Sequence, residues 1–373
     1  MTRNKTNSLS DYRYELGPIR PPSEASSLLI RVTRNCEWNR CLFCPVYKET
    51  EFSIRPIEHV LHDIDLIREY TDFLQNPTDG VRIEEPLAYE SAMHWSINGL
   101  KSVFLQDADA LVVGAYDLAR ILYHLKGNFP NIERVTSYAR SSAINKMSLD
   151  DLILLRKAGL SRIHVGMESG SDTVLKMVRK GASKAIHIQA GVKVKGAEME
   201  LSEYFMPGLG GRSLSEEHAI ESADALNKID PDFIRVRPLA FPVRAPLREL
   251  MLSGEFDRCN DIEIVQELHT FIDNLEGLSS YLVSDHILNL FGDLNGHLPE
   301  DKSLLLSILQ RFLKLDEEEQ VLYRFGRRLG AFISLDDLNN ESRRSRVSQI
   351  MSENNVNSEN IDSLTEQMMQ RFV

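Results

Sequence analysis

The sequence predicts an α/β protein, a partial (β/α)6 TIM-like barrel with a C-terminal helical extension, and three observations predict it. Six short apolar, β-branched runs alternate with stretches of helical period between residues 27 and 239, the pattern of βαβ units and a parallel sheet. Beyond about residue 255 the apolar spacing is helical throughout. Three cysteines fall within nine residues directly after the first apolar run, in the βα loop where such a barrel carries its chemistry.

The elements follow in order. Residues 1–25 are polar, run into the turn-rich GPIRPPSEASS and are expected to form an arm. Strands are expected at 27–33 (SLLIRVT), 101–106 (KSVFLQ), 134–139 (RVTSYA), 162–167 (RIHVGM), 199–206 (MELSEYFM) and 232–239 (DFIRVRPL). Helices are expected at 57–70, 115–127, 149–159, 171–181 and 216–229. Ser148 is placed to cap the helix at 149, and Gly159 after Lys157 to stop it. The connection 72–100 exceeds the usual βα loop and is expected to carry a helix over 85–99. Further helical patterns cover 261–277, 301–315 and 317–332. Residues 339–360, rich in Asn, Ser and Arg, are expected to be mobile, with a last helix at 361–372. The expected organisation is thus an arm over 1–25, a barrel over 26–250, a helical region over 251–338 and a polar tail over 339–373.

Composition narrows the function. With 42% hydrophobic and 26% charged residues, the chain reads as an ordinary globular protein with a large core. A formal net charge of -12 disfavours broad, salt-driven binding to phosphate backbones, and the basic clusters at 325–330 and 341–346 read as solvated helix faces. No run approaches 18 apolar residues, and MTRNKTNSLSDYRYELG lacks the apolar segment of a signal peptide. Clustered cysteines suit a reducing compartment, so a cytoplasmic protein is expected. The phosphate-cradling motif G-x4-G-K-[ST], the H-E-x-x-H pair and a Ser-His-Asp order are missing from the sequence.

The cysteine segment reads RNCEWNRCLFCPVYK, with Cys36, Cys41 and Cys44 in C-x4-C-x2-C spacing. Three thiolates on a short loop can wrap one corner of a [4Fe–4S] cube and leave the fourth iron open. Such clusters normally have four cysteine ligands, so the missing one suggests a small molecule on that iron. A structural zinc ion completed by Cys259 or a histidine is the alternative. Only Cys41 and Cys44 form a C-x2-C knuckle, and Cys259 in EFDRCND reads as a bystander.

With Phe43 just before the last cysteine, this loop resembles the signature of the radical S-adenosylmethionine (SAM) superfamily, whose usual spacing is one residue shorter, C-x3-C-x2-C. VFLQDADAL (103–111) stands where that family has its second-strand motif, with Gln106 and Asp107 in place of Gly-Gly-Glu. IHVGMESGSDTVLKMVRKG (163–181) is similar to the fourth-strand region of coproporphyrinogen dehydrogenases and tRNA methylthiotransferases, and EYFMPGLGG (203–211) to their fifth-strand glycine turn. The likeness covers residues 28–245.

The resemblance implies an oxygen-sensitive enzyme with a [4Fe–4S] cluster and SAM. It would cleave SAM reductively to a 5′-deoxyadenosyl radical, drawing on an external one-electron reductant such as flavodoxin or ferredoxin. It implies Cys36, Cys41 and Cys44 as cluster ligands, Phe43 near the adenine, and Gln106 and Asp107 at the strand end whose backbone meets the methionyl amino group. Glu168 would contact SAM, and Lys180, with Arg179 as neighbouring candidate, would pair with the SAM carboxylate. Glu203 or Tyr204 would meet the ribose hydroxyls, and Gly208, Gly210 and Gly211 would let the backbone approach the cofactor. On residue type alone, Glu168 is a helix N-terminal carboxylate, Lys180 a helix-end cation and the glycines a turn.

The substrate side is thinner. Arg140, Arg235 and Arg237 alternate so that some are expected to face the barrel interior and suit carboxylates or phosphates; salt-bridged structural arginines are the other reading. In LVSDHILNL (282–290), read as helix-like, Asp285 and His286 either face the active site or follow an N-cap at Ser284, and His164 reads as a core histidine. The expectation is hydrogen abstraction from a small organic, possibly anionic, substrate, with neither membrane nor nucleic acid as partner. Cobalamin-dependent methylation is disfavoured by the residues before the barrel, and sulfur insertion by the few remaining cysteines. Modification of RNA, and a non-enzymatic iron–sulfur or zinc protein that senses redox state or scaffolds partners, are the alternatives.

Overall fold

The computed structural model describes residues 12–77 and 82–370. Of the sequence expectations, residues 1–11 of the arm, 78–81 of the long connection and 371–372 of the last helix lie outside the described residues.

The chain runs β1 (Leu28–Arg31), β2 (Thr33–Arg34), β3 (Ser53–Ile54), α1 (Ile57–Gln75), α2 (Pro86–Ile97), β4 (Ser102–Gln106), α3 (Ala115–Asn128), β5 (Arg134–Ala139), α4 (Ser141–Lys146), α5 (Leu149–Ala158) and β6 (Arg162–Glu168). It continues α6 (Asp172–Met177), α7 (Lys184–Gly196), β7 (Glu200–Phe205), α8 (Ser215–Ile229), β8 (Phe233–Val236), α9 (Leu247–Leu252), α10 (Asp261–Asp273), β9 (Tyr281–Val283) and β10 (Gly296–His297). The last helices are α11 (Lys302–Leu313), α12 (Glu317–Arg328), α13 (Glu341–Glu353) and α14 (Ile361–Met369). The main sheet is ordered β1-β4-β5-β6-β7-β8-β9-β10, and β2 pairs antiparallel with β3. Neighbours are parallel from β1 through β4 and β5 to β6, and from β7 through β8 to β9; β10 runs antiparallel to β9. This is the expected α/β partial barrel, open among the described residues.

The described residues divide into two compact units. The first holds the chain up to Trp38, Glu49–Val165 and Lys193–Leu201; the second holds Asn39–Lys48, Gly166–Val192 and the chain from Ser202 on. In the first, all five residues of β4 are buried, as a strand covered on both faces requires. α1 buries Val60, Ile64 and Ile67 on one stripe, and α3 buries Leu118, Ile121, Leu122 and Leu125. The Ser148 cap is present as a capping box: the Asp151 N–H donates to Ser148 Oγ (3.1 Å) and the Ser148 N–H to Asp151 Oδ2 (2.9 Å). Gly159 closes the helix at φ 124°. In the second unit, Leu42, Val178, Leu209, Leu239, Phe241 and Leu247 share one apolar cluster.

Four expectations need correction. The run 27–33 is two strands, because residues 28–31 pair with β4 whereas Thr33 and Arg34 pair with β3. The helix expected over 171–181 stops at Met177, where Arg179 (φ 55°) and Gly181 (φ 73°) turn the chain. The helix α7 that follows was not expected: Ile186, Ile188, Val192 and Val194 fall at even spacings, the period of a strand. Beyond 255 the chain is not helical throughout; 282–290 is the end of β9 and a turn, and Ser284 caps no helix but donates to the Phe291 carbonyl (2.5 Å). Residues 341–353 form a helix, capped by Asn340 on the Arg343 N–H (3.1 Å) and joined by Arg344 to Glu319 (3.0 Å). Its only buried residue is Val347, too little apolar signal to show in a periodicity reading.

Candidate active site

The cysteine loop leaves β2 and returns through β3. Asn35 and Asn39 sit at positive φ (69° and 42°), which short polar side chains tolerate. The Asn35 amide donates to the Glu51 carbonyl (2.5 Å), the Asn39 amide to that of Tyr47, and Lys48 Nζ to that of Asn39 (3.0 Å). Cys36, Cys41 and Cys44 are half-buried and none is in a disulfide. Among the described residues no three Cys, His, Asp or Glu side chains converge as ligands of a single ion. A [4Fe–4S] cube spreads its thiolates over separate irons, and three half-buried thiols on one loop are the donor set such a cluster takes with one iron left open.

Within the second unit, four of the expected cofactor residues come together. Backbone bonds from Leu42 N–H to the Val178 carbonyl (3.0 Å) and from Leu247 N–H to the Leu42 carbonyl (2.9 Å) hold the loop against the turn after α6. Cys41 Sγ then lies 4.0 Å from the carbonyl oxygen of Lys180. The Lys180 ammonium stands 5.6 Å from the Phe43 ring centre and 3.2 Å from Glu168 Oε1. Glu168 ends β6 at φ 66°, and its carbonyl accepts the Met206 N–H (3.0 Å). Arg179 is exposed, and Lys180 is the cation that meets Glu168.

Glu203 lies on β7, fully buried, and neither carboxyl oxygen has a hydrogen-bond partner of good geometry. Burial pushes its pKa well above the usual carboxylate value; the Lys180 ammonium pulls it down and the Glu168 carboxylate pushes it up again. Tyr204, the other ribose candidate, is buried beside it. Gly208 follows at φ 84°, and its N–H donates to Glu267 Oε1 (2.7 Å). Gly210 and Gly211 crowd the Leu214 and Asp257 carbonyls, where a Cβ would fall at 2.9 and 2.7 Å.

In the first unit the other two expected residues are committed elsewhere. The Gln106 side chain accepts the Gly17 N–H (2.8 Å) and donates to the carbonyls of Gly17 (3.1 Å) and Ile19 (2.9 Å). Asp107 Oδ2 takes both Arg31 Nε (3.0 Å) and Nη2 (2.7 Å), and the Asn35 N–H (3.2 Å). Arg140 stacks 5.2 Å over the Trp38 ring and pairs with Glu37 (3.3 Å). Its N–H is held by buried Asp109 (3.1 Å), whose pKa burial raises to about 7. His164 is fully buried, 3.7 Å from Glu24, as a core histidine.

Of the three arginines, Arg140 and Arg235 are salt-bridged, as the structural reading expects. Arg235 is buried and paired with Asp285, its Nε donating to Ser202 Oγ (3.0 Å), while Arg237 is exposed. His286 accepts the Leu288 N–H (3.3 Å), and burial, helped by Arg237, lowers its pKa to about 4. Cys259 is buried, its thiol pushed up to about 12 by burial and then by Glu267 and Glu263. Sequence reasoning missed Glu267 and His218, which sit on helices far along the chain with no motif around them. His218 accepts or donates between Ser169 Oγ (2.8 Å) and the Met206 carbonyl (3.0 Å), and Glu267 also accepts the Ser215 hydroxyl (2.5 Å). It missed Gly166 too, although a glycine inside a strand marks close approach.

An open βα barrel whose first βα loop carries three cysteines defines a class of cluster-binding enzyme barrels. The sequence model of the Radical SAM superfamily matches residues 30–223, more than half of the chain, and the protein belongs to that family. It is an enzyme, its cofactors are a [4Fe–4S] cluster and SAM, and the family cleaves SAM by radical chemistry with an external reductant. A curated relative, the tRNA uridine(34) acetyltransferase of Methanocaldococcus infernus, is 25% identical over 136 residues, which are 36% of this chain and 24% of that protein. The chain thus matches about a quarter of the length of that relative. Coproporphyrinogen III oxidase from Escherichia coli, a radical SAM enzyme, is similar at 14% identity and TM-score 0.46, over 67% of this chain and 52% of that one. Methylornithine synthase is similar at 16% identity and TM-score 0.44, over 75% and 68%. No helix among the described residues is long and apolar enough to cross a membrane.

Proposed function

We propose that the enzyme abstracts hydrogen from a small organic substrate, with Cys36, Cys41 and Cys44 holding the cluster. The observation that carries this reading is the convergence of Cys41, Phe43, Glu168 and Lys180, which come from two separate segments of sequence. Held by Cys36, Cys41 and Cys44, a reduced cluster would supply the one-electron reduction by which SAM is cleaved.

The chain's own residues would orient SAM. Lys180 exchanges Glu168 for the methionyl carboxylate, a charge-assisted pair that fixes that end of the ligand. Phe43 offers its ring to the adenine. Glu203, kept protonated by burial, can both donate to and accept from ribose hydroxyls, which would satisfy its orphaned oxygens. Gly208 leaves backbone open to close approach. Gln106 and Asp107 contribute the backbone at the end of β4, since their side chains hold Gly17–Ile19 and Arg31.

The test is anaerobic reconstitution with iron and sulfide, then dithionite and SAM, with 5′-deoxyadenosine quantified. Product is expected from the wild type and from Cys259→Ala, and none from Cys41→Ala. Zinc in place of iron in the reconstituted wild type would overturn the reading.

A second reading, modification of RNA, is favoured by the name of the curated relative. The net charge of -12 weighs against it. Tight tRNA binding that weakens steeply with salt would establish it; no binding at micromolar protein would end it.

A further inference from the structure

We propose that the surface around the cysteine loop, formed by that loop, the turn after α6 and the start of α9, docks a small acidic one-electron carrier protein of the flavodoxin or ferredoxin kind. This deepens the reading above and rests on it, since it names the partner that reduces the cluster and the residues that receive it.

Three segments of the second unit meet here. The bonds from the Leu42 N–H to the Val178 carbonyl (3.0 Å) and from the Leu247 N–H to the Leu42 carbonyl (2.9 Å) fasten the loop to the other two, and Leu42, Val178 and Leu247 share one buried apolar cluster. Within three residues of these positions the sequence carries six cations, Arg40, Lys176, Arg179, Lys180, Arg244 and Arg248, and one anion, Glu249. The whole chain has a net charge of -12, so the rest of it is more acidic still. Because two backbone bonds join the three segments, this concentration of positive charge belongs to one place in the fold.

Arg40, Lys176, Arg179 and Arg244 are exposed. Lys180 is held by Glu168 and belongs to the SAM site of the reading above. Lys176, Arg244 and Arg248 pair with no carboxylate among the described residues. Uncompensated cations grouped on an acidic protein set up a local positive potential. An acidic carrier is then repelled by most of the molecule and attracted where the cysteines lie, which orients the encounter. Val243, just before α9, is 79% exposed, and Leu252, the last residue of α9, is 69% exposed; they offer apolar contact beside the charges. In the docked pair one electron leaves the carrier for the cluster, and a flavin carrier passes from the anionic hydroquinone to the neutral semiquinone with no proton moved.

A nucleic acid would also answer to cations, but it needs a track of them along many phosphates. The other basic runs of the chain do not supply one: Arg324 and Arg328 hold Asp261, Arg343 pairs with Asp337 and Arg344 with Glu319. A compact group of cations suits the small contact of an electron-transfer pair.

The test is titration calorimetry of the full-length, cluster-reconstituted protein with recombinant flavodoxin and with recombinant ferredoxin, at about 50 and about 300 mM salt. At least one carrier is expected to bind saturably at the lower salt and about tenfold more weakly at the higher. The double variant Lys176→Glu, Arg244→Glu reverses two exposed charges outside the SAM site and should weaken that binding about tenfold or more. Formation of 5′-deoxyadenosine driven by dithionite, which needs no docking, should stay at the wild-type rate in this variant, while formation driven by the reduced carrier falls. Binding of neither carrier, or unchanged binding in the double variant, would overturn the proposal. So would tRNA binding that the double variant loses while no carrier binds, which would assign the patch to RNA. The two readings fail separately. Carrier binding that the double variant weakens, without any 5′-deoxyadenosine under dithionite, would leave the docking surface standing and remove the radical assignment. Product under dithionite with no carrier bound would remove the docking surface alone.

Discussion

Lys180 Nζ lies 3.2 Å from Glu168 Oε1, and the pair fits because residue 166 has no Cβ: one placed there would fall 2.3 Å from Oε1 and 3.1 Å from Nζ. Both obstructing atoms are the far ends of flexible side chains, so Gly166→Ala should displace the pair without unfolding the barrel. The expected outcome is a melting temperature within a few degrees of wild type and SAM affinity lowered about tenfold. Calorimetry with SAM on the reconstituted protein reads this directly. Unchanged affinity would take the pair out of the SAM site.

Lys180 itself gives a sharper comparison. Lys180→Met keeps an unbranched side chain but removes the ammonium that stands 5.6 Å from the Phe43 ring centre, and SAM should bind about tenfold to a hundredfold more weakly. Lys180→Arg should restore most of the loss, because charge rather than length is what the carboxylate needs. If both variants bind SAM alike, Lys180 supports Glu168 and not the ligand.

How far the sequence reveals this arrangement depends on what kind of signal each part carries. Six of the strands of the main sheet and the cap at Ser148 are legible because alternation and capping are local, set by residues within a few positions, whereas β9, three residues long and parallel to β8, is not. Cys36, Cys41 and Cys44 are legible as a group because they share one loop. The helix α7 is hidden, since its apolar residues mimic a strand period, and so is α13, which buries only Val347. Glu267 could not be read at all: its partners Gly208 and Ser215 lie on another stretch of chain, and only the fold joins them.

Glu267 and His218 make opposed contributions to stability with pH. Burial raises Glu267 from 4.5 to about 7 and lowers His218 from 6.5 to about 4, and the two stand 3.8 Å apart. Between pH 4.5 and 7 the folded state keeps the Glu267 proton that the unfolded chain has lost, so this group destabilises the fold increasingly as pH rises. Between pH 6.5 and 4 the unfolded chain takes up a proton that buried His218 refuses, so this group destabilises the fold increasingly as pH falls. Each effect is on the order of 3 kcal/mol when complete. The slopes oppose one another over the shared range. Glu267→Gln should therefore uncover a stability that climbs from pH 4 to 6.5, and His218→Gln one that falls from pH 4.5 to 7, both read by urea denaturation across pH. Identical slopes in Glu267→Gln and wild type would mean that Glu267 is ionised in the fold.

The two carboxylates that share Arg324 should differ in weight. Asp261 is 8% exposed; burial pushes its pKa up, but Arg328 and then Arg324 outweigh that and hold it below the usual value. Asp362 meets the same guanidinium from a side chain that is 39% exposed. Removing the buried charge leaves Arg328 without its anion and Arg324 with Asp362 alone, in a largely buried site, whereas removing the outer one lets water replace it. Asp261→Asn should therefore cost about 3–5 kcal/mol of folding stability and Asp362→Asn about 1 kcal/mol or less. Guanidinium denaturation of the two variants beside wild type measures the difference. Equal losses would make the α14 contact as structural as the buried pair, and the expected inequality makes it the weaker of the two contacts that Arg324 keeps.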